Sequence, residues 1–421
     1  MSERPGGGTV SERRACVECL RRSWLLALLG PYLEKTATGK VGRRSPELLR
    51  LSNEDLVEVV APGAGPRLIG EVEARDEAWF AERLEEAECW AICRHDDRYP
   101  PGLRDADDAP WALLGRGAPG LLEAIEPQAA VTIVGSRRAT SYGREVARDL
   151  ARELATAGLV VISGLAFGID ACAHRGALDA GGKTIAVLGC GPDTSYPAAH
   201  RGLWRSIAET GVVISELPPG STPWRWSFPA RNRVMAALAG MTVVVEAAAR
   251  SGSLITADLA AELGRDLGAV PGPVTSRASA GPNELLAGGA CVVRDAQDVL
   301  DAMLGAGAEH LQRTGPPLDE ELAIVLSAVE AGAANADAIA AAIGSTGRTA
   351  AGGATSALVS AGDAPNHVDP DDAAPRSIDL VGRRVSIALA RLELLGYLAA
   401  TPTGTVTRTL LAAPTPSGAG N

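Results

Sequence analysis

From residue 128 onward, short runs that are apolar throughout alternate with longer segments whose apolar positions recur every three or four residues. AAVTIVGS, LVVISG, TIAVLGCG, VVISE, TVVVEA, LGAVPG and CVVRD are of the first kind. YGREVARDLARELATAG, IDACAHRGALDAGG, AAHRGLWRSIAETG, PARNRVMAALAG and ITADLAAELGR are of the second. A strand that is apolar on both faces must be covered on both faces. Strands separated by helices of about 10 to 15 residues therefore predict an α/β fold, a mostly parallel sheet with helices on either side.

The flanks follow other patterns. RRSWLLALLGPYLE, PELLRLS and NEDLVEVV read as short helices, with Asn53 in the capping position of the third. EARDEAWFAERLEEAECW is a further amphipathic run, and the prolines of RYPPGLRDADDAPWALLGRG mark an irregular connector. Downstream, LDEELAIVLSAV, ADAIAAAI and IDLVGRRVSIALARLELLGYLAA predict three helices, and TGTVTRTL a short strand, the order of a small winged-helix unit. The expected division is a helical domain over 1–66, a helix and connector over 67–127 and the α/β core over 128–305. A linker over 306–317 then leads to a winged-helix-like domain over 318–412. The Gly/Ala/Ser/Asp-rich stretch 344–377 is expected to be a disordered insertion within it.

Composition narrows the class. The chain has 421 residues, 46% of them apolar, with no run long enough to span a bilayer and no apolar leader in MSERPGGGTVSERRAC. A cytoplasmic globular protein with no membrane role is expected. Seven cysteines, an odd number scattered along the chain, do not make a disulfide framework. The net charge of −11 argues against nucleic acid only until it is divided along the chain. Basic and acidic residues number 17 and 23 up to residue 127, 16 and 16 over 128–305, and 7 and 12 thereafter. The excess acid lies in the flanks, and a neutral core can still carry a basic groove for a polyanion.

Candidate chemistry collects at the carboxyl ends of the predicted strands, where glycine turns lead into helix N-termini. VGSRRATSYG places Gly135, Ser136 and Arg137 after the first strand, and SGLAFGID places Ser163, Gly164, Phe167, Gly168 and Asp170 after the second. LGCGPD after the third reads as turn geometry. Arg250, Ser251, Gly252 and Ser253 open a helix after TVVVEA, and backbone N–H groups, hydroxyls and an arginine there make an anion site. Arg231, Asn232 and Arg233 begin the helix after Pro229, where two readings stay open: contact with a phosphate, or pairing with acids such as Glu216 or Glu246. No GxGxxG, GxxxxGK[ST] or GxSxG is present, which argues against a dinucleotide cofactor, a P-loop ATPase and a hydrolase built on Ser163 or Ser251 with His174 or His200. Cys16 and Cys19 have the spacing of half a zinc site, with Cys89, Cys93 and His95 as completing ligands to weigh. Cys89-x-x-x-Cys93 is not a usual second half, so reduced thiols and no metal are expected.

VGSR, SGLAFGIDACAHRGAL, GKTIAVLGCGPDTSYPAAH, FPARNRVMAAL, RSGSLITADLAAELGRD, AVPG and GPNELLAGGA occur in this order. Together they resemble the DNA-processing protein A family (DprA, also called Smf), densely over 128–300, with YPPGLRD and LLGRG upstream. The resemblance implies a Rossmann-like core flanked by an N-terminal helical domain like SAM and helix-hairpin-helix domains and by a C-terminal winged-helix-like domain. It implies a homodimer that binds single-stranded DNA and loads the RecA recombinase on incoming strands during natural transformation, helping it displace single-strand-binding protein. No catalytic activity and no cofactor are implied. Carried over residue by residue, the GSR arginine is Arg137 and the basic residue of the SGSLIT motif is Arg250. Ser163, Gly164, Gly168, Ser251, Gly252 and Ser253 supply the pocket, and FPxRNR gives Phe228, Pro229, Arg231, Asn232 and Arg233. Phe167 or Phe228 could stack on a base.

The main rival is a phosphoribohydrolase of the related Rossmann-like superfamily, whose PGGxGTxxE-type motif carries its working glutamate. The matching turn here, RSGSLITAD, has no glutamate at that spacing. A third reading, a regulator whose winged helix contacts duplex DNA, meets few basic residues in the recognition helix: Arg383, Arg384 and Arg391.

Overall fold

The computed structural model describes residues 15–37, 45–104, 106–308, 313–314, 318–333, 335–346, 374–395, 397–400, 406–408 and 411–412. The chain divides into two compact units, 1–310 and 311–421. Among the described residues, no helix is long and apolar enough to cross a membrane.

The first unit opens with helices α1 (Val17–Leu28), α2 (Gly30–Ala37), α3 (Ser45–Leu48), α4 (Asn53–Val60), α5 (Gly65–Glu73) and α6 (Glu77–Glu86). Ser52, one residue before the expected Asn53, caps α4 by accepting a hydrogen bond from the Asp55 N–H. Leu25, Leu29, Leu56 and Leu68 bury their apolar faces together with Leu217, Trp226 and Ala230 of the α/β region. Glu34 accepts hydrogen bonds from the backbone N–H groups of Arg225 (2.9 Å) and Trp226 (3.3 Å). The N-terminal helices are thus packed onto the core.

The remaining elements alternate: β1 (Trp90–Cys93), α7 (Pro101–Arg104), β2 (Ala112–Gly117), α8 (Pro119–Glu123), β3 (Ala130–Val134), α9 (Ser141–Thr156), β4 (Val160–Ser163) and α10 (Ile169–Asp179). Next come β5 (Thr184–Val187), α11 (Arg201–Thr210), β6 (Val212–Ser215), α12 (Ser227–Leu238), β7 (Met241–Val244) and α13 (Gly252–Glu262). The unit ends with β8 (Asp266–Ala269), α14 (Ala280–Ala287), β9 (Cys291–Val292) and α15 (Ala296–Leu304). They form a nine-stranded sheet in the order β1-β2-β6-β5-β4-β3-β7-β8-β9. Neighbours from β6 across to β9 run parallel, while β2 is antiparallel to both β1 and β6. Every residue of β3, β4, β5, β6 and β7 is buried, as their apolar sequences require.

The sheet therefore begins at residue 90, two strands before the expected start of the core at 128. The connector between β1 and β2 is irregular but pinned, because the buried Tyr99 donates its hydroxyl hydrogen bond to the Pro110 carbonyl at 2.7 Å. The Trp90 indole covers Gly115 across the pair, where a Cβ would find no room.

Chain order fixes where a ligand can sit. From β3 the chain moves outward through β4, β5 and β6, then returns to the other side of β3 as β7 and continues to β8 and β9. The loops that leave β3 and β7 diverge, which opens a crevice beyond their carboxyl ends.

The second unit has helices α16 (Glu320–Glu330), α17 (Ala336–Thr346) and α18 (Ala374–Leu394), and an antiparallel pair β11 (Leu398–Ala400) and β12 (Val406–Arg408). Two short strands, β10 (Arg313–Thr314) and β13 (Leu411–Ala412), pair in parallel. Leu322, Val325, Ile339, Val385, Leu392 and Tyr397 form its core. The insertion expected at 344–377 lies outside the described residues except at its ends, 344–346 and 374–377, which are helical.

Candidate nucleic-acid interface

The crevice at the switch point is a cleft of about 700 Å³. Three helix starts surround it, each set by its own sequence. Thr140 caps α9 through the Gly143 N–H at 3.1 Å, Gly168 precedes α10 without a side-chain cap, and Ser251 precedes α13 with its hydroxyl 2.7 Å from that of Ser253. Glu246, at the end of β7, ties two of the turns together. Its carboxylate accepts from the Thr140 hydroxyl at 2.5 Å and the Thr140 N–H at 2.8 Å, and its carbonyl accepts from the Ser136 N–H at 2.6 Å.

The cleft brings together Gly135, Ser136 and Arg137 from the turn after β3, Arg231 and Asn232 from α12, and Ser251, Gly252 and Ser253 from the start of α13. The Ser136 hydroxyl accepts from the Arg138 N–H at 3.1 Å, which leaves its hydrogen available to a ligand. Asn232 donates to the Gly252 carbonyl at 3.2 Å and so anchors the opening of α13. Gly164 and Phe167 line a smaller cavity of about 190 Å³ that shares Arg137 and Arg231 with the cleft. Phe167 and Tyr196 are exposed there, Tyr196 lies 5.7 Å from Phe228 ring to ring, and Arg137 stacks 5.0 Å over the Phe228 ring. An arginine among three aromatic faces suits the stacking of unpaired bases beside a charged backbone.

Four expected site residues stand apart from these cavities. Ser163 is buried in β4 and donates to the Ile133 carbonyl at 2.7 Å. Gly168 shapes the turn from beneath: at φ +78° it is in the left-handed region, and a Cβ there would strike the Ser136 carbonyl oxygen. Arg250 is exposed but belongs to a second cleft, of about 690 Å³, whose walls carry Glu47, Asp108, Asp258, Glu262 and Glu284. With Arg50 as the other cation, the lining is net acidic and disfavours a phosphate. The first cleft instead has Arg137, Arg138, Arg225 and Arg231 against the single carboxylate of Asp170.

The fourth is Arg233, and with it the two readings of the Arg-Asn-Arg segment separate. Arg233 is 3% exposed and pairs with Glu216 at 2.5 Å, with Asp108 4.0 Å away. Arg231 is also buried. It donates to the carbonyls of Gly164 and Val187, the latter at 2.6 Å, and lies 3.6 Å from Asp170. Asp170 in turn accepts from the N–H groups of Gly164 (3.2 Å) and Ala166 (3.3 Å). Burial pushes its carboxyl above the usual range, against the pull of Arg231 and these donors. Both arginines brace the turns, and Arg231 alone also faces the cleft.

His174 and His200 do not form a serine–histidine pair. His174 is fully buried, its Nδ1 is 2.7 Å from the Thr184 hydroxyl, and burial, with Arg231 adding to it, pulls the ring down to about 3. His200 is engaged with the Leu165 carbonyl at 2.9 Å. Residues missed from sequence are Arg138, Tyr196 and Arg225, while Glu246, weighed as a partner of Arg231 or Arg233, engages Thr140 instead. Tyr196 carried a signal, an aromatic within the TSYP turn, but its nearness to Phe228 depends on a contact across 32 positions.

The sequence model of one family, DNA recombination-mediator protein A, matches residues 90–304. A Mycobacterium tuberculosis protein bearing the DprA name is 49% identical over 211 residues, covering 50% of this chain and 53% of that protein. DNA processing protein DprA of Streptococcus pneumoniae is 42% identical over 225 residues, covering 53% of this chain and 77% of that protein. The X-ray structure of DNA processing protein A (DprA) from Streptococcus pneumoniae superposes with a TM-score of 0.54 at 34% identity, covering 70% of this chain and 98% of that one. The matched segment thus spans about half the length of the mycobacterial relative. The family match begins at β1, where the sheet begins.

Proposed function

The chain belongs to the DNA recombination-mediator protein A family, and on that premise we propose that its switch-point cleft holds the backbone and bases of single-stranded DNA. The observation that carries this reading is the pairing of cationic and aromatic groups. Arg137 is exposed, stacked on Phe228 and flanked by the Ser136 hydroxyl, with Arg138 and Arg225 on the same walls. Arginines and hydroxyls hold phosphates without regard to sequence, and the faces of Phe167, Tyr196 and Phe228 take any base. A duplex keeps its bases stacked inside and cannot use those faces. Single strands are therefore the preferred ligand.

The cleft's one carboxylate supports binding over catalysis. Asp170 is engaged by two backbone N–H groups and by Arg231, so it is poorly placed to take a proton from a substrate. The family's recombination-mediator description supports a role in recombination, and the finer reading is a homodimeric mediator that loads RecA onto the bound strand and helps displace single-strand-binding protein.

Binding of the full chain to labelled single-stranded and duplex DNA of equal length, across a salt series, tests this. The expected result is a single-strand preference that Arg137→Ala weakens roughly tenfold, since a charge-assisted contact is lost. The salt slope becomes shallower by about 0.7, the share of one phosphate on a single strand. Equal affinity for both DNAs, or an unchanged Arg137→Ala, overturns the reading.

A further inference from the structure

Away from the cleft, the N-terminal helices meet the outer edge of the sheet in a group of side chains that DNA binding does not use. Cys16 is the residue before α1, Cys19 lies in its first turn, Cys93 ends β1, and His95 is in the turn that follows. Their four ligand atoms all lie within 4.8 Å of one another. His95 Nδ1 is 3.3 Å from Cys16 Sγ and 3.5 Å from Cys19 Sγ. A tetrahedral site with metal–sulfur bonds of about 2.3 Å and metal–nitrogen bonds of about 2.0 Å has sulfur–nitrogen edges of roughly 3.5 Å. The two distances match that edge. The backbone N–H of Cys16 points at Cys93 Sγ at 3.5 Å, the type of contact that stabilises a thiolate. All three cysteines are free thiols.

We propose that Cys16, Cys19, Cys93 and His95 bind one structural zinc ion. The spacing that argued against a metal was Cys89-x-x-x-Cys93, but the fold assembles Cys93-x-His95 instead. Cys89 Sγ turns away to donate to the Ala87 carbonyl at 3.3 Å. Three thiolates and an imidazole select a soft, four-coordinate ion such as zinc over magnesium or calcium. Four protein ligands leave no open position, so the role is structural and no chemistry is expected at the ion. Its place indicates its purpose. The apolar cluster of Ala15, Cys19, Leu20, Phe80, Cys93 and Leu114 lies between α1, α6 and the β1–β2 pair. A metal bonded to both sides of it fastens α1 to the sheet edge, closing a long loop between residues 19 and 93.

The test is the metal content of the full chain, purified under reducing conditions without chelator and then offered zinc and desalted. About one zinc per chain is expected, with Cys89→Ala retaining it and a Cys16→Ser/Cys93→Ser double variant losing it. Should the double variant fail to fold, cobalt exchanged into the unaltered protein decides the matter. Intense visible bands of tetrahedral, thiolate-ligated cobalt support the site, and weak octahedral bands overturn it. An unaltered protein that holds no zinc after loading, or a double variant that keeps it, also overturns the proposal, as does iron in its place.

Discussion

Arg233→Ala is expected to lower the stability of the α/β unit by about 3–5 kcal/mol while scarcely changing the affinity of the folded molecules for single strands. The side chain is 3% exposed, and its loss leaves Glu216 without its 2.5 Å partner and Asp108 without its neighbouring charge. Both acids are largely buried, so each would retain a charge that water reaches poorly. The nearby Arg22, also buried, hydrogen-bonds to Asn53 at 2.9 Å and the Leu49 carbonyl at 3.1 Å, and is already committed. Urea unfolding followed by tryptophan fluorescence measures the shift. Pairing Arg233→Met with Glu216→Leu should recover the share due to Glu216, because removing both members of that pair costs far less than stranding one, while the share due to Asp108 remains. A stable Arg233→Ala protein that loses single-strand binding would instead make Arg233 a DNA contact.

Gly168→Ala is the second large effect, and it acts on stability and binding together. Gly168 has φ +78° and ψ −122°, a conformation that side chains resist, and a Cβ would sit against the Ser136 carbonyl oxygen and 2.9 Å from that of Arg137. The Ile169 N–H donates to the same Ser136 carbonyl at 3.2 Å, so relieving the clash also breaks the bond that joins the two turns. A cost of about 2–4 kcal/mol is expected from strain and clash together. The Ser136–Arg137 turn should move, and single-strand affinity should fall by more than the Arg137→Ala variant alone loses. Gly264→Ala is the control. Gly264 has φ +65° with nothing near its missing Cβ, so only the backbone term of about 1 kcal/mol remains. Equal losses at the two positions would show that the contact with Ser136 is unimportant.

These two positions show what the sequence could and could not reveal. The sheet was legible because β3 to β7 are apolar on both faces, a signal local to each strand. The turns after β3 and β7 were legible for the same reason, as glycines and hydroxyls following such strands. The role of Arg233 was not, because an arginine in a first helical turn looks the same whether it meets a phosphate or Glu216. Burial decided between them, and burial belongs to the whole fold. Arg250 is the opposite case: its motif placed it beside Ser251, and of the acids that share its cleft Asp258 and Glu262 lie on the helix that follows, while Glu47, Asp108 and Glu284 are brought there by the fold. β1 was hidden because its first residue, Trp90, closes the amphipathic run EARDEAWFAERLEEAECW and reads as part of a helix, and β2 because ALLGRG is framed by prolines and glycines. The cysteine and histidine cluster depended on pairing across 77 positions, and the nearer Cys89 offered a misleading partner.

Hydrogen exchange of the full chain with and without a single-stranded oligonucleotide tests the central claim most directly, because it locates the ligand without altering a residue. Bound DNA is expected to slow exchange in 134–138, 164–170 and 248–256, the three turns that meet at the carboxyl ends of β3, β4 and β7. Protection confined to 311–421, or none in those turns at saturating DNA, would contradict the account.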